Sequence, residues 1–500
     1  NRMPCQKDHP FPRPNPVRVY LLSSIHPVPS NMARRMRLAL SAMLVGAATG
    51  FLVGPAAAPL PSITAAAPRN AARRSCLTMT MTTDEQSPPS LPANVVLCGG
   101  GIQSAAIAYY LSERGVSSTV IEQCEVACAA SGKAGGFLAR NWGAGATSQL
   151  HQVSFKLHQE LAEDLSLQGY RKLPTLAVTP GSRSPDLGSL ADKGQIPAWL
   201  DGDVEKASLL DDPGLVRRSM NNWDTAQTDP RELTEKLLAA AAAKAGSRVV
   251  TGTVQGVVRE SCSENGGERG ERVTGLIVDG EEVAADVCVF AMGPWTCLIE
   301  DWFEDLTLPM QGICSTSVVY RAAAAVDAFA LFCGEDELGC NLEVYPRAAS
   351  AEHEVYVCGV GGSRYLNNAQ LKQVRPDGIE ADAVRAEAGQ QAFAALSSLG
   401  LAAPQTTQAC LRPCPPDALP YLGAVPGTCN AYAAAGHNCW GILWAPVTGK
   451  AMAELILEGT SNCVDLAPFD PARFSGGEES ASARTGRGRQ RAGEPVGEQW

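Results

Sequence analysis

The chain has 500 residues, 45% hydrophobic and 19% charged, enough for a large buried core and more than one domain. Its formal net charge of -11 argues against general binding to nucleic acid or anionic lipid, which takes clustered Lys and Arg. The 17 cysteines and 6 histidines form no CxxC pair, zinc spacing or disulfide framework. No metal site is therefore expected, and a reducing compartment is the simplest reading.

Residues 1–93 read as a targeting leader. From His9 to Thr83 there is no Asp or Glu, while Arg34, Arg35, Arg37, Arg69, Arg73 and Arg74 recur among Ala, Ser and Pro. The apolar run Leu38–Val53 is short for a bilayer span, which takes about 20 residues, so no stable membrane insertion is expected. A charged start, a short apolar centre and the small residues Ala56, Ala57 and Ala58 resemble a signal peptide. The Arg-rich continuation resembles a transit peptide, which implies a plastid first and a mitochondrion second. A membrane anchor or a disordered leader on a cytoplasmic protein is the remaining alternative. At the far end, residues 472–500 are Gly-, Ser- and Glu-rich and read as a disordered tail. Thr179–Gly194 and Ser261–Glu271 read as surface insertions.

Order begins at Asn94. Val95–Cys98 is an apolar run suited to a buried parallel strand, followed at once by Gly99, Gly100 and Gly101. Ile102, Ala105, Ala106, Tyr109 and Leu111 then recur at helical spacing up to Gly115, and a second strand ends on Glu122. Each piece suits a bound dinucleotide. Gly99 permits the tight turn, and Gly101 leaves room for a pyrophosphate. The helix start at Ile102 offers free N–H groups to phosphates. Glu122, about 20 positions on, can accept from ribose hydroxyls. Ser104 replaces the third glycine, a small residue where helix packs on strand. The unit alone does not separate FAD from NAD.

A second glycine-rich loop, Ala130-Ser131-Gly132-Lys133-Ala134-Gly135-Gly136-Phe137, follows. Further on come Thr225–Pro230 before a helical stretch, Ala291-Met292-Gly293-Pro294-Trp295, and a C-terminal block. That block holds Leu411-Arg412-Pro413, Asp417, Ala435-Gly436-His437 and Gly441-Ile442-Leu443. With these segments the chain resembles the D-amino-acid oxidase superfamily of flavoproteins, on the glycine oxidase and sarcosine oxidase side. The fold so implied is α/β, a Rossmann-type FAD-binding domain with an interleaved antiparallel-sheet substrate domain. FAD-binding parts are expected at about 94–178, 225–300 and 405–465, and substrate-domain parts at about 179–224 and 306–401.

The resemblance implies FAD as cofactor, with Ser131, Lys133, Gly135, Gly136, Val254, Gly293, Trp295, Gly441 and Ile442 beside it. Cys410 takes the place of a covalently flavinylated cysteine of sarcosine oxidases, or is an ordinary buried thiol. Arg412 would fork onto a substrate carboxylate, or bridge sheet and tail. His437 would act at the flavin, or hold main chain. Trp440 and Trp444 wall the pocket or pack the core. Cys439 stands where glycine oxidases carry a second Arg, a departure that bears on small amino-acid specificity. The implied activity is oxidation of a C–N bond of an amino acid or secondary amine, with dioxygen or another electron acceptor. A 2-hydroxy-acid dehydrogenase and a flavoprotein with a binding or membrane-trafficking role are the alternatives.

Overall fold

The computed structural model describes residues 91–210, 224–263, 269–348 and 353–475. The leader and the residues from 476 on lie outside them, as does the centre of the second expected insertion, 264–268. Val95–Cys98 is the central strand of a six-stranded sheet. The strand order is Tyr421–Ala424, Ala431–Ala435, Val287–Phe290, Val95–Cys98, Ser118–Glu122, Arg248–Thr251. All neighbours run parallel except the first pair. Alternate residues of the central strand serve opposite cores. Val95 and Leu97 pack under the helices Ile102–Ser112, Thr147–Asp164, Pro230–Ala245 and Gly441–Glu458. Val96 and Cys98 pack under an antiparallel meander of Val254–Ser263, Arg269–Val278 and Glu281–Ala284. With both faces covered, the strand is apolar throughout, and burying one Leu here contributes about 2 kcal/mol.

The helix Pro230–Ala245 shows how local chemistry fixes these boundaries. Asp229 accepts from the Glu232 N–H at 2.9 Å, Pro230 occupies the first turn, and Gly246 ends the helix in the left-handed region. Arg347, just past a strand of the second sheet, reaches back to Asp229 at 3.1 Å and ties the two halves together.

That second sheet has eight strands. Their order is Arg364–Leu366, Gln311–Arg321, Glu354–Cys358, Glu343–Pro346, Ala330–Cys333, Thr175–Pro180 and Val204–Leu209, with Thr406–Cys414 also paired to Gln311–Arg321. Its outer face is closed by the helix Ala383–Leu396, where Phe393 and Leu396 meet Tyr320, Leu342 and Val344. The pairing is antiparallel except between Ala330–Cys333 and Thr175–Pro180.

Four sequence boundaries are corrected. Thr175–Pro180 and Thr406–Cys414 are strands of the second sheet, although residues up to 178 and from 405 were expected in the nucleotide-binding parts. The stretch expected as an insertion from Thr179 to Gly194 begins within a strand and buries Leu187 in the core, because its helix Leu187–Asp192 packs inward. The tail expected from 472 is anchored to Ser475. Arg473 donates in fork fashion to Asp417 at 2.8 and 3.1 Å and stacks 4.1 Å over Tyr421.

Candidate active site

One cleft of about 1060 Å³ runs from the glycine turn after the first strand to the inner face of the eight-stranded sheet. Its first end is built by close backbone approaches. Gly99 has φ +99°, and a Cβ there would lie 2.7 Å from the Ala291 carbonyl oxygen, so the turn accepts no side chain. The Gly100 N–H donates to Glu122 Oε2 at 2.5 Å, and the Cys124 N–H donates to Oε1 at 2.9 Å. The Ile102 N–H donates to Ser131 Oγ at 3.0 Å, which joins the two glycine loops at the start of the helix. A Cβ on Gly101 would meet only that same Oγ, at 3.1 Å. Val254 lines this end beside Glu122. Cys128 lines it too; its Sγ stands 2.8 Å from that of Cys124, whose thiol is pushed up by burial and by Cys128 and Glu122.

Gly135, Gly136, Gly293, Trp295, Cys410, Gly441 and Ile442 line the middle of the cleft. A Cβ on Gly135 would lie 2.5 Å from the Tyr345 ring, so this loop and the second sheet meet face to face. Trp295 Nε1 donates to the Val374 carbonyl at 2.7 Å, which steadies the turn beneath the cleft. Two expected contact residues do not line it. Ser104 is fully buried where the first helix packs, and Lys133 turns away to donate to the Ala409 carbonyl at 3.0 Å.

The far end holds the charged groups. Arg412 donates from Nε to Ser315 Oγ at 3.2 Å and from a terminal nitrogen to Asn438 Oδ1 at 3.5 Å. Burial works against its charge, but its surroundings raise it on balance, and the guanidinium stays protonated. Glu343 lines the cleft and is 9% exposed. Its Oε2 accepts from the Tyr345 hydroxyl and from the Cys358 thiol, the latter at 3.5 Å. Burial pushes this carboxyl up, and the Tyr345 hydroxyl and Arg412 draw it partly back.

His437 is 2% exposed with Nε2 3.1 Å from Thr448 Oγ1, and burial pushes it down to about 3. The ring is therefore neutral at ordinary pH and engaged with the last long helix. Trp440 lines the cleft, whereas Trp444 is buried in the helical core.

Sequence reasoning passed over Gly100, Glu343 and an aromatic wall. In that wall Phe137 stacks on Tyr345 at 5.4 Å and meets Phe332 edge-on at 5.0 Å, and Tyr345 stacks on Tyr356 at 6.2 Å. The signal for Glu343 was present. Leu342 and Val344 flank it and point into the outer core, so strand alternation turns Glu343 and Tyr345 the other way.

A dinucleotide-binding turn opening on a long cleft, roofed by a second sheet that carries a half-buried Arg, defines a cofactor-dependent oxidoreductase. The chain belongs to the DAO family, the FAD dependent oxidoreductases, whose model matches residues 94–455. It is 26% identical over 408 residues to glycine oxidase of Geobacillus kaustophilus, covering 77% of this chain and 97% of that one. It is 26% identical over 397 residues to an uncharacterised oxidoreductase of Bacillus subtilis, covering 75% and 98%. L-proline dehydrogenase from P. horikoshii shares the fold, with a TM-score of 0.59 at 18% identity over 77% of this chain and 98% of that one.

The protein is thus an enzyme and FAD is its cofactor. The residues present fit that group. Glu122 ends the second strand on the cleft, where it could accept from a ribose. A Cβ on Gly101 would meet nothing but Ser131 Oγ, so a pyrophosphate could lie over it, and the cleft has room beyond the glycine loops for a ring system and a small donor. Gln103, on the cleft, donates to the Gly441 carbonyl at 2.8 Å, and its buried Oε1 has no partner among the described residues.

Proposed function

We propose that the enzyme oxidises the C–N bond of an amino acid or secondary amine, held by its carboxylate on Arg412, with dioxygen or another acceptor taking the electrons. The observation that carries this reading is a half-buried, cationic guanidinium on the cleft face of the second sheet. Glycine and L-proline, named for two of the proteins the chain resembles, are both amino acids.

FAD, when bound, supplies the hydride acceptor. The protein's own part is to hold and orient the donor. The planar fork of Arg412 matches both oxygens of a carboxylate, which fixes the adjoining Cα as well as the affinity. Ser315 and Asn438 hold that fork in place. The aromatic wall lines the site with apolar rings, and each charge contact there strengthens as the dielectric falls. His437 contributes as a neutral ring.

Anaerobic bleaching of the flavin by a panel of amino acids and amines tests the reading. Arg412→Ala is expected to raise KM and lower kcat/KM by about a hundredfold, on the order of 3 kcal/mol, with FAD content unchanged. Arg412→Lys should recover only part, because a point charge cannot fork across two oxygens. A kcat/KM within twofold of the unsubstituted enzyme would make Arg412 structural. Peroxide yield against dye reduction distinguishes dioxygen from another acceptor.

A further inference from the structure

We propose that Glu343 anchors the amino group of the donor opposite Arg412, so that the site selects α-amino acids over 2-hydroxy acids and over amines without a carboxylate. The proposal rests on the reading of Arg412 as the carboxylate anchor and names the substrate class of that same site.

Three observations carry it. The first is placement. Glu343 and Arg412 both line the far end of the cleft, and each lies close enough to bias the charge of the other. The second is the way the Glu343 carboxylate is satisfied. The hydrogen bonds from Tyr345 and Cys358 both fall on Oε2, which leaves Oε1 reachable from the cleft. An oxygen facing the cleft loses its water when a ligand enters, and that loss is offset only if the ligand brings a donor. An ammonium or amine N–H entering the cleft is such a donor. The third is the surroundings. Besides Arg412, the ionisable groups around Glu343 are Tyr345, Cys358, Cys333 and Cys439. Burial pushes all four up, so they are neutral at ordinary pH. The site therefore sets one fixed cation, Arg412, near one acidic group, Glu343, whose charged form an entering ammonium would favour, the complement of a zwitterion. A 2-hydroxy acid would set a neutral hydroxyl against Glu343, and an amine without a carboxylate would leave Arg412 unmatched.

Glu343 could instead serve only to balance the charge of Arg412, and ligand pairs separate the two roles. The FAD-loaded enzyme is titrated with glycine and acetate, with proline and cyclopentanecarboxylate, and with phenylalanine and 3-phenylpropionate. The third pair suits the aromatic wall. Members of each pair differ in the amine alone. Binding is read from perturbation of the flavin spectrum, or from saturation of anaerobic bleaching where the ligand is oxidised.

In the unsubstituted enzyme the amino acid of a responding pair should bind more tightly than its partner. Glu343→Gln, which keeps the shape, should weaken the amino acid about thirtyfold or more and leave the plain carboxylate unchanged or tighter. Glu343→Asp should fold with FAD bound and restore part of the preference. Equal weakening of both members by Glu343→Gln, or an unsubstituted enzyme that prefers the plain carboxylate in every responding pair, would overturn the proposal while leaving Arg412 as carboxylate anchor. If no member of any pair binds the unsubstituted enzyme, the carboxylate reading of Arg412 fails and this one with it.

Discussion

Cys410 sits on the cleft beside Arg412, at the position that in sarcosine oxidases resembles a covalent flavin attachment. Attack on a flavin carbon needs the thiolate. Burial pushes this thiol up, and the nearby cations of Arg412 and Lys133 do not reverse the shift. We therefore expect FAD to be held without a covalent bond. Acid precipitation should release all the flavin into the supernatant, and Cys410→Ser should retain FAD. Yellow precipitate with a flavin-bearing peptide that contains Cys410 would refute this. The contrast with Glu343 shows what a sequence exposes. Arg412 and Cys410 stand in a recognisable block, and both do line the cleft. Strand alternation shows which way Glu343 faces, but that it shares a cleft with Arg412 appears only once the sheet is assembled. Ser104 and Lys133 show the reverse, since a position in a motif does not say which way a side chain points.

At the scale of elements, the strand, turn, helix and second strand from Val95 to Glu122 were legible because apolar spacing and glycines determine them locally. The ends of the second sheet were not. Thr175–Pro180 and Thr406–Cys414 join it through pairings with strands far away in the chain, which short-range periodicity does not record. Within the turn, two glycines should fail in different ways. Gly99→Ala places a Cβ against the Ala291 backbone in a left-handed conformation, so it should lower the stability of the folded protein by about 1–3 kcal/mol as well as abolish FAD binding. Gly101→Val meets only the Ser131 hydroxyl, at 3.1 Å from its Cβ, and a hydroxyl can give by a few tenths of an ångström, so the apoprotein should melt much nearer the unsubstituted temperature than Gly99→Ala while FAD binding is lost. Thermal unfolding of both apoproteins, with flavin content alongside, checks the distinction. Full FAD occupancy in Gly101→Val would show that the phosphates lie elsewhere.

Over the whole molecule, two buried histidines tie the last long helix to its surroundings and should set its response to acid. His158 on the helix Thr147–Asp164 has Nε2 3.0 Å from the Ile442 carbonyl and 3.1 Å from that of Leu443. His437 meets Thr448 on the same helix. Burial pushes His158 down to about 4 and His437 to about 3. Unfolded, both return to about 6.5, so between that pH and their folded values the unfolded chain binds the extra protons and stability rises with pH. The contribution is present above pH 6.5, and falls as the pH drops toward 4 for His158 and toward 3 for His437. At pH 5 each should have lost about 2 kcal/mol relative to pH 7. Gly441 and Ile442, at the start of that helix, line the cofactor cleft, so flavin release should accompany the loss. Melting the FAD-saturated enzyme at pH 7 and pH 5 should show a clear drop in Tm. His158→Gln can still donate to the two carbonyls but does not titrate, so it should flatten the pH dependence by about half. An unchanged Tm at pH 5 would mean that these rings take up protons within the fold, and that the helix start is open to water.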